Sequence, residues 1–352
     1  MFKLELKKLL KNKNGMIALI TFVFICVVMI FIKPPLEGEL SYLEVQNPNF
    51  TDIRSEEVKA EQNFQYKIKS LKDTLNGSVS DKSTKQIQKM AREKLNAIKE
   101  NEDLEYKNVD FLKVFNYRAG HPLMILGMII IIAMLLCNIY SDEVISSMDT
   151  LILSSKNKYK CLNAKGILAF VVPIVSYLSY LGAIFITTLI QYGKPVNGSL
   201  QCLRILDNFI MIKGAMTINE YILLKIVFVL LVLVSIAIIA TFISFKTETS
   251  ISAISILGVY LVSGKVLLMF IKPISKAIAK SNFSWILSVL QYGNYTDLTM
   301  GMNEMAGMYL GSANIFGLSL DIIQIITIIL ALITILVSTC MFLSFKKLSS
   351  KK

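Results

Sequence analysis

Runs of about twenty apolar residues recur along this chain, and that length is what crosses roughly 30 Å of hydrocarbon at about 1.5 Å per helical residue. Inside a bilayer every backbone N–H and C=O must be bonded within the protein, so such runs are expected to be helices. A hydrophobic content of 54% and a mean hydropathy of +0.58 agree. The expected fold is an all-α polytopic membrane protein with six transmembrane helices and a helical extracellular insert between spans one and two. The spans are read at 16–33, 122–140, 167–191, 221–244, 251–271 and 318–345. An interfacial helix at 1–15, the insert at 34–121, a link at 141–166, an outer link at 192–220, interfacial or re-entrant helices at 272–317 and a tail at 346–352 complete the chain.

The net charge of +12 is a matter of topology. Four short segments, 1–15, 141–166, 245–250 and 344–352, hold 14 lysines against 5 acids, a net of +9. The insert carries 14 basic and 15 acidic residues. The outer links 192–220 and 272–321 have six basic residues over 79 positions, against 14 over 56 in the four lysine-rich segments. Positive charge gathers in short cytoplasmic loops, which puts both termini inside and excludes nucleic acid as a partner.

Residues 1–15 place Phe2, Leu6, Leu9 and Leu10 on one helical face, with Lys3, Lys7, Lys8 and Lys11 around it, as a helix lying on membrane lipid does. The first apolar run follows five lysines and has no small-residue cleavage site, so it is expected to stay as an anchor. In the insert, Phe64, Ile68, Leu71 and Leu75 fall at helical spacing, and Ile87, Met90, Ala91, Leu95 and Ile98 repeat the pattern beyond Asn76-Gly77-Ser78. A helical hairpin turned near 77–81 and holding its own seam is expected. Span three carries a small-residue stripe, Ser176, Ser179, Ala183 and Thr187, suited to close packing. Phe283, Trp285, Ile286, Val289, Leu290 and Tyr292 suit short helices dipping into the outer interface.

Between spans two and three, Val144, Met148, Leu151 and Ile152 recur at helical spacing among Asp142, Glu143, Ser146, Asp149 and Thr150, and Lys156, Lys158, Lys160 and Lys165 follow. One short amphipathic helix over 141–155, free to press on another protein, is the expectation.

No phosphate-binding loop, nucleophile elbow or HExxH pair occurs. The five cysteines, Cys26, Cys137, Cys161, Cys202 and Cys340, offer neither a disulfide framework nor a CxxC pair, and His121 reads as an interfacial residue, so no metal is expected. The spans show no midplane carboxylate for ion coupling, while Lys225 and Lys265 are expected to snorkel outward. The chain is therefore expected to carry no catalytic residues and to draw its energy from a partner.

This organisation resembles the permease subunits of the bacterial type-two ABC exporters: six spans, an amphipathic amino-terminal helix, a cytoplasmic coupling helix between spans two and three, and re-entrant helices after span five. The family's acid, Gly-Thr, Leu-Leu, Pro and Lys are met here by Asp142 or Glu143, Ser146-Ser147, Leu151-Ile152, Ser155 and Lys165. Ser146 stands where glycine is usual, Ser155 where proline is usual, and the outer hairpin is not a general feature of the family. The resemblance implies a bacterial cytoplasmic membrane, ABC ATPase subunits that carry the ATP and Mg²⁺, and a second permease, the same or a different chain. It implies that Asp142, Glu143 and Asp149 pair with basic groups of the ATPase while Met148 and Leu151 fill its groove, with Ser146, Ser147 and Lys165 part of that interface. An amphipathic or lipid-like cargo, such as a cytolytic peptide, is expected. Two other classes stay open: a peptide-sensing or immunity module whose hairpin binds the ligand, and an intramembrane enzyme or ion-coupled carrier.

Overall fold

The computed structural model describes residues 2–40, 52–78, 82–101, 104–271, 273, 284–300, 305–315 and 318–351. Among these, six helices are long and apolar enough to cross a membrane: Lys13–Phe31, Asp110–Ile145, Lys158–Tyr192, Ile218–Ser244, Ser250–Ile271 and Ile322–Ser344. The chain is thus a helical multi-pass membrane protein.

α1 (Phe2–Lys11) leads into α2 (Lys13–Phe31), which packs against α6 (Pro122–Leu136). Their approach is close enough that a Cβ at Gly127 would lie 2.1 Å from Ile25 Cδ1, so any larger residue there must displace the Ile25 side chain. Of the expected lipid-facing residues of α1, Phe2, Leu6 and Leu9 pack against the protein core and only Leu10 is exposed. α9 (Lys158–Tyr192) and α10 (Ile218–Ser244) form the centre, and α10 is buried along most of its length. Thr217 and Glu220 start α10 with reciprocal side-chain caps. α11 (Ser250–Ile271) and α14 (Ile322–Lys351) flank it.

α5 (Asp110–Ala119) is a helix that the sequence pattern did not separate from the insert. It ends just before α6, inside the packed core, which leaves carbonyls in need of donors. Neighbouring spans supply them. Lys225 Nζ donates to Asn116 O (2.7 Å), Tyr180 Oη to Arg118 O (2.9 Å) and Tyr177 Oη to Ala119 O (2.8 Å). Arg118 is buried and turns back to Ile30 O and Ile32 O at the end of α2. Lys225 therefore does not snorkel outward: it is fully buried, where its charge also suits a helix carboxyl end. Lys265 is paired with Asp297 at 2.5 Å. His121 caps α6 by accepting from Leu123 N at 3.2 Å, and Pro122 follows at the first helical position.

The insert contains α3 (Glu56–Asn76) and α4 (Lys82–Asn101), packed on each other as a hairpin, with 79–81 of the expected turn outside the described residues. Phe64, Ile68, Leu71 and Leu95 bury together with Ala91 and Ile98, Leu75 packs at the edge, Met90 is buried and Ile87 half-buried. The sequence pattern predicts a hairpin that holds its own seam, but the structure shows that it does not do so alone. Leu203 and Phe209 of the 192–220 link complete the same cluster. Lys94 Nζ donates to Phe209 O (2.8 Å) and Ile210 O (2.9 Å), and the Arg204 guanidinium lies 3.9 Å from the Phe64 ring centre. Beneath this contact Glu37 accepts from Lys67 (2.7 Å) and Lys113 (2.9 Å). Burial pushes the Glu37 carboxyl up, but the two ammonium groups more than offset it and hold it below the usual range.

Several boundaries move. Residues 141–154 are two helices, α7 (Ser141–Ile145) and α8 (Met148–Ser154), because Ser147 between them takes a left-handed φ of 57°. α9 starts at Lys158 rather than 167, since nothing in the lysine-rich link breaks a helix and long lysine stems tolerate an interface. The last span starts at Ile322, not 318, because Leu318–Asp321 (β2) pairs antiparallel with Ser312–Ile315 (β1), a ribbon too short for its alternation to stand out. Its helix also runs on through the expected tail to Lys351. In the 272–317 region, α12 (Ser284–Gly293) and α13 (Tyr295–Met300) pack against α11; Phe283 lies outside the described residues. The small-residue stripe of α9 faces away from the core, which α9 meets through Tyr177, Tyr180, Leu181 and Ile184.

Candidate functional site

The link between spans two and three sits at the end of the bundle that carries α1. Its first turn is pinned from α10, where Ser244 Oγ accepts from Tyr140 N (3.0 Å) and Ser141 N (3.2 Å). Asp142 then accepts from Asn12 Nδ2 (2.8 Å), just past α1, and from Ser250 Oγ (3.1 Å) at the start of α11.

Glu143 is the hub. It is 2% exposed, with one oxygen 2.8 Å from Lys8 Nζ of α1 and the other 2.5 Å from Lys165 Nζ of α9. Lys165 also donates to Ile139 O at 2.8 Å and lies 5.4 Å from the Tyr140 ring centre. Glu5 and Cys161 stand alongside, with Cys161 Sγ 3.4 Å from Glu5 Oε1. One side-chain knot thus joins α1, α7, α9 and the α10–α11 turn. The acceptor atoms of Glu5, Glu143 and Cys161 lie within 4.8 Å of one another, a spacing a metal ion could use. Here the ammonium groups of Lys8 and Lys165 hold the position a cation would take, and they balance the two carboxylates.

The outward side of the link is different in kind. Ile145, Met148 and Leu151 are 62%, 48% and 63% exposed, and Ser146, Ser147 and Thr150 are exposed beside them. Lys156, Tyr159 and Lys160, further along the link, are exposed as well. Three large exposed apolar side chains, one ending α7 and two on α8, mark a surface that another apolar surface covers, of protein or lipid.

The expected interface residues therefore divide. Ser146, Ser147, Met148 and Leu151 are displayed, whereas Asp142, Glu143 and Lys165 are turned inward and already paired, so none of these three is placed to meet a partner's charges. Burial of an acid costs several kcal/mol unless it is matched, and two lysines supply the match. The Asp149 side chain lies outside the described residues. Ile145 was missed, although it stands three residues before Met148 and six before Leu151, a helical stripe in its own right. Lys8, Asn12, Ser244 and Ser250 carried no local signal, because each finds its partner more than a hundred residues away.

Comparison with protein-family models, with curated proteins and with solved structures returned no match for this chain.

Proposed function

We propose that this chain is the membrane-spanning permease subunit of an ATP-driven exporter of the type-two ABC class, with ATP and Mg²⁺ held by a separate ATPase subunit. The observation that carries it is the displayed crest of Ile145, Met148 and Leu151 backed by the Glu143 knot. A partner groove that takes the crest is mechanically connected to four elements of the bundle at once. A push on α7 reaches α1 through Lys8 and Asn12, α9 through Lys165, and the α10–α11 turn through Ser244 and Ser250. Apolar packing makes the docking contact in this reading, and the acids transmit load behind it.

The crest end and both termini then lie in the cytoplasm of a bacterial cell, the insert lies outside, and a second permease, the same chain or another, completes the path for an amphipathic or lipid-like cargo. A mild-detergent pull-down from native membranes, followed by an ATPase assay, tests this. Met148→Asp with Leu151→Asp is expected to lower recovery of the ATPase and its hydrolysis by about tenfold or more, as loss of a buried apolar anchor does. Unchanged recovery and hydrolysis would rule the reading out.

One feature favours a second reading, in which the insert senses a peptide and the chain signals. A groove of about 840 Å³ beside the hairpin is lined by Glu57, Glu61 and Glu105 with Val58 and Tyr106, and by Arg54, which is paired with Asp52, leaving an acidic excess suited to a cationic amphipathic peptide. Co-purification with a histidine kinase in place of an ATPase would select it.

A further inference from the structure

At the opposite end of the bundle from the knot, a groove of about 850 Å³ opens between the first turns of α10 and α14. That volume is in the range of sites that hold a small amphiphile. Leu223, Leu224 and Val227 form one wall, and Ile323, Thr327 and Ile328 the other. Both walls belong to helices that cross the membrane, and Leu223 and Val227 are 64% and 57% exposed, so the open side of the groove meets hydrocarbon.

The end near the insert is closed by construction. Lys213 N donates to Gly307 O (2.9 Å) and Tyr309 N to Met211 O (2.7 Å), which ties a strap of chain across the top. Gly307 has a φ of +127°, and a Cβ there would meet the Tyr221 ring at 3.2 Å, so the strap can pass this close only as glycine. Under the strap the rim carries both signs of charge: Lys213 Nζ is 2.7 Å from Asp321 Oδ2, and Glu220 stands on the α10 side.

We propose that this groove binds one phospholipid with a phosphoethanolamine head, its acyl chain along the α10–α14 walls and its head at the Lys213–Asp321–Glu220 rim. A rim with one ammonium and two carboxylates is complementary to a head with one phosphate and one ammonium. The phosphate goes to Lys213 and the ammonium to Glu220 and Asp321. A head that is only anionic meets an excess of carboxylate. A quaternary ammonium has no N–H to donate. The site needs no ATPase and stands independently of the export reading.

The test uses the full chain in nanodiscs of equal phosphatidylethanolamine, phosphatidylcholine and phosphatidylglycerol, each lipid in turn carrying a photoactivatable acyl chain. Labelling by phosphatidylethanolamine is expected to concentrate on Leu223, Leu224 and Ile328 and to exceed that by either other lipid about fivefold, the worth of one partly exposed ion pair. Lys213→Gln with Glu220→Gln should abolish the preference while glutamine keeps the helix cap. Leu223→Trp should lower labelling by all three lipids. Equal labelling of the unsubstituted chain by the three lipids, preference for phosphatidylglycerol, or a preference that survives the double substitution would overturn the proposal.

Discussion

Glu37 and Glu143 are buried carboxylates at opposite ends of one bundle, each held between two lysines, and they differ in what lies behind the lysines. Around Glu37 both partners are sealed: Lys67 and Lys113 side chains are 9% and 3% exposed. Around Glu143 one partner is sealed and the other reaches water, Lys165 at 1% and Lys8 at 47%. A sealed triad can only be broken by exposing all of it, so it locks the insert onto the membrane helices. A triad with one wet lysine can exchange that partner for water at little cost, so it joins elements that must still shift against one another.

The largest expected effect follows from breaking the sealed side. Glu37→Ala removes the carboxylate that two buried ammonium groups share, leaving Lys67 with Leu203 O (3.2 Å) and Lys113 with the more distant Asp207 (3.9 Å), and should cost about 3 to 5 kcal/mol, read as lost hydrogen-exchange protection in α3 and α4 of the full chain. Acid should act the same way. Because the folded Glu37 carboxyl titrates below its unfolded value, the unfolded chain takes up the proton first as pH falls. Docking of the insert is then fully present above about 4.3 and lost as pH drops through the folded value. Lys94 acts in the same direction in a higher pH window: burial pushes it down to about 8. Docking should therefore tighten as pH rises from about 8 toward about 10.4, where the unfolded lysine would lose its proton.

At the other end, Glu143→Ala should cost about 2 to 3 kcal/mol, because Lys165 keeps a carbonyl partner at Ile139 while losing its carboxylate. Lys8→Ala should cost under about 1 kcal/mol, since it removes only the wet partner. Thermal unfolding of the purified chain measures both. A Lys8 effect as large as that of Glu37 would erase the difference between the two triads. The smallest effect is expected at Ser147, where glycine relieves a left-handed backbone and should stabilise the α7–α8 break by about 1 kcal/mol or less. A loss of stability there would mean that the bend is held by the serine side chain instead.

The spans and the hairpin were legible because each repeats a period along one continuous segment: Phe64, Ile68 and Leu71 announce their face without help from the rest of the chain. What the sequence concealed was pairing between segments. Leu203 and Phe209 complete the hairpin core from an irregular link that has no period to read. Lys225 looked like an outward-reaching lysine because its acceptor, Asn116, is 109 residues earlier. Glu143 looked like a surface acid for the same reason: charge on a short amphipathic helix reads as solvated until Lys8 and Lys165 are known to converge on it. Along this link the structure therefore exposes Met148 and Leu151 and turns Asp142, Glu143 and Lys165 inward, a division that no local sequence pattern shows.

The Glu143 knot also sets an order of assembly. Its carboxylates and both lysines come from residues 5 to 165, so the ion pairs become available once the start of the third span has been synthesised, with more than half of the chain still to be made. The later spans would then enter the membrane beside a nascent half already fastened at its base, and Ser244 and Ser250 would be the last stitches, joining the arriving fourth and fifth spans to a turn that is already in place.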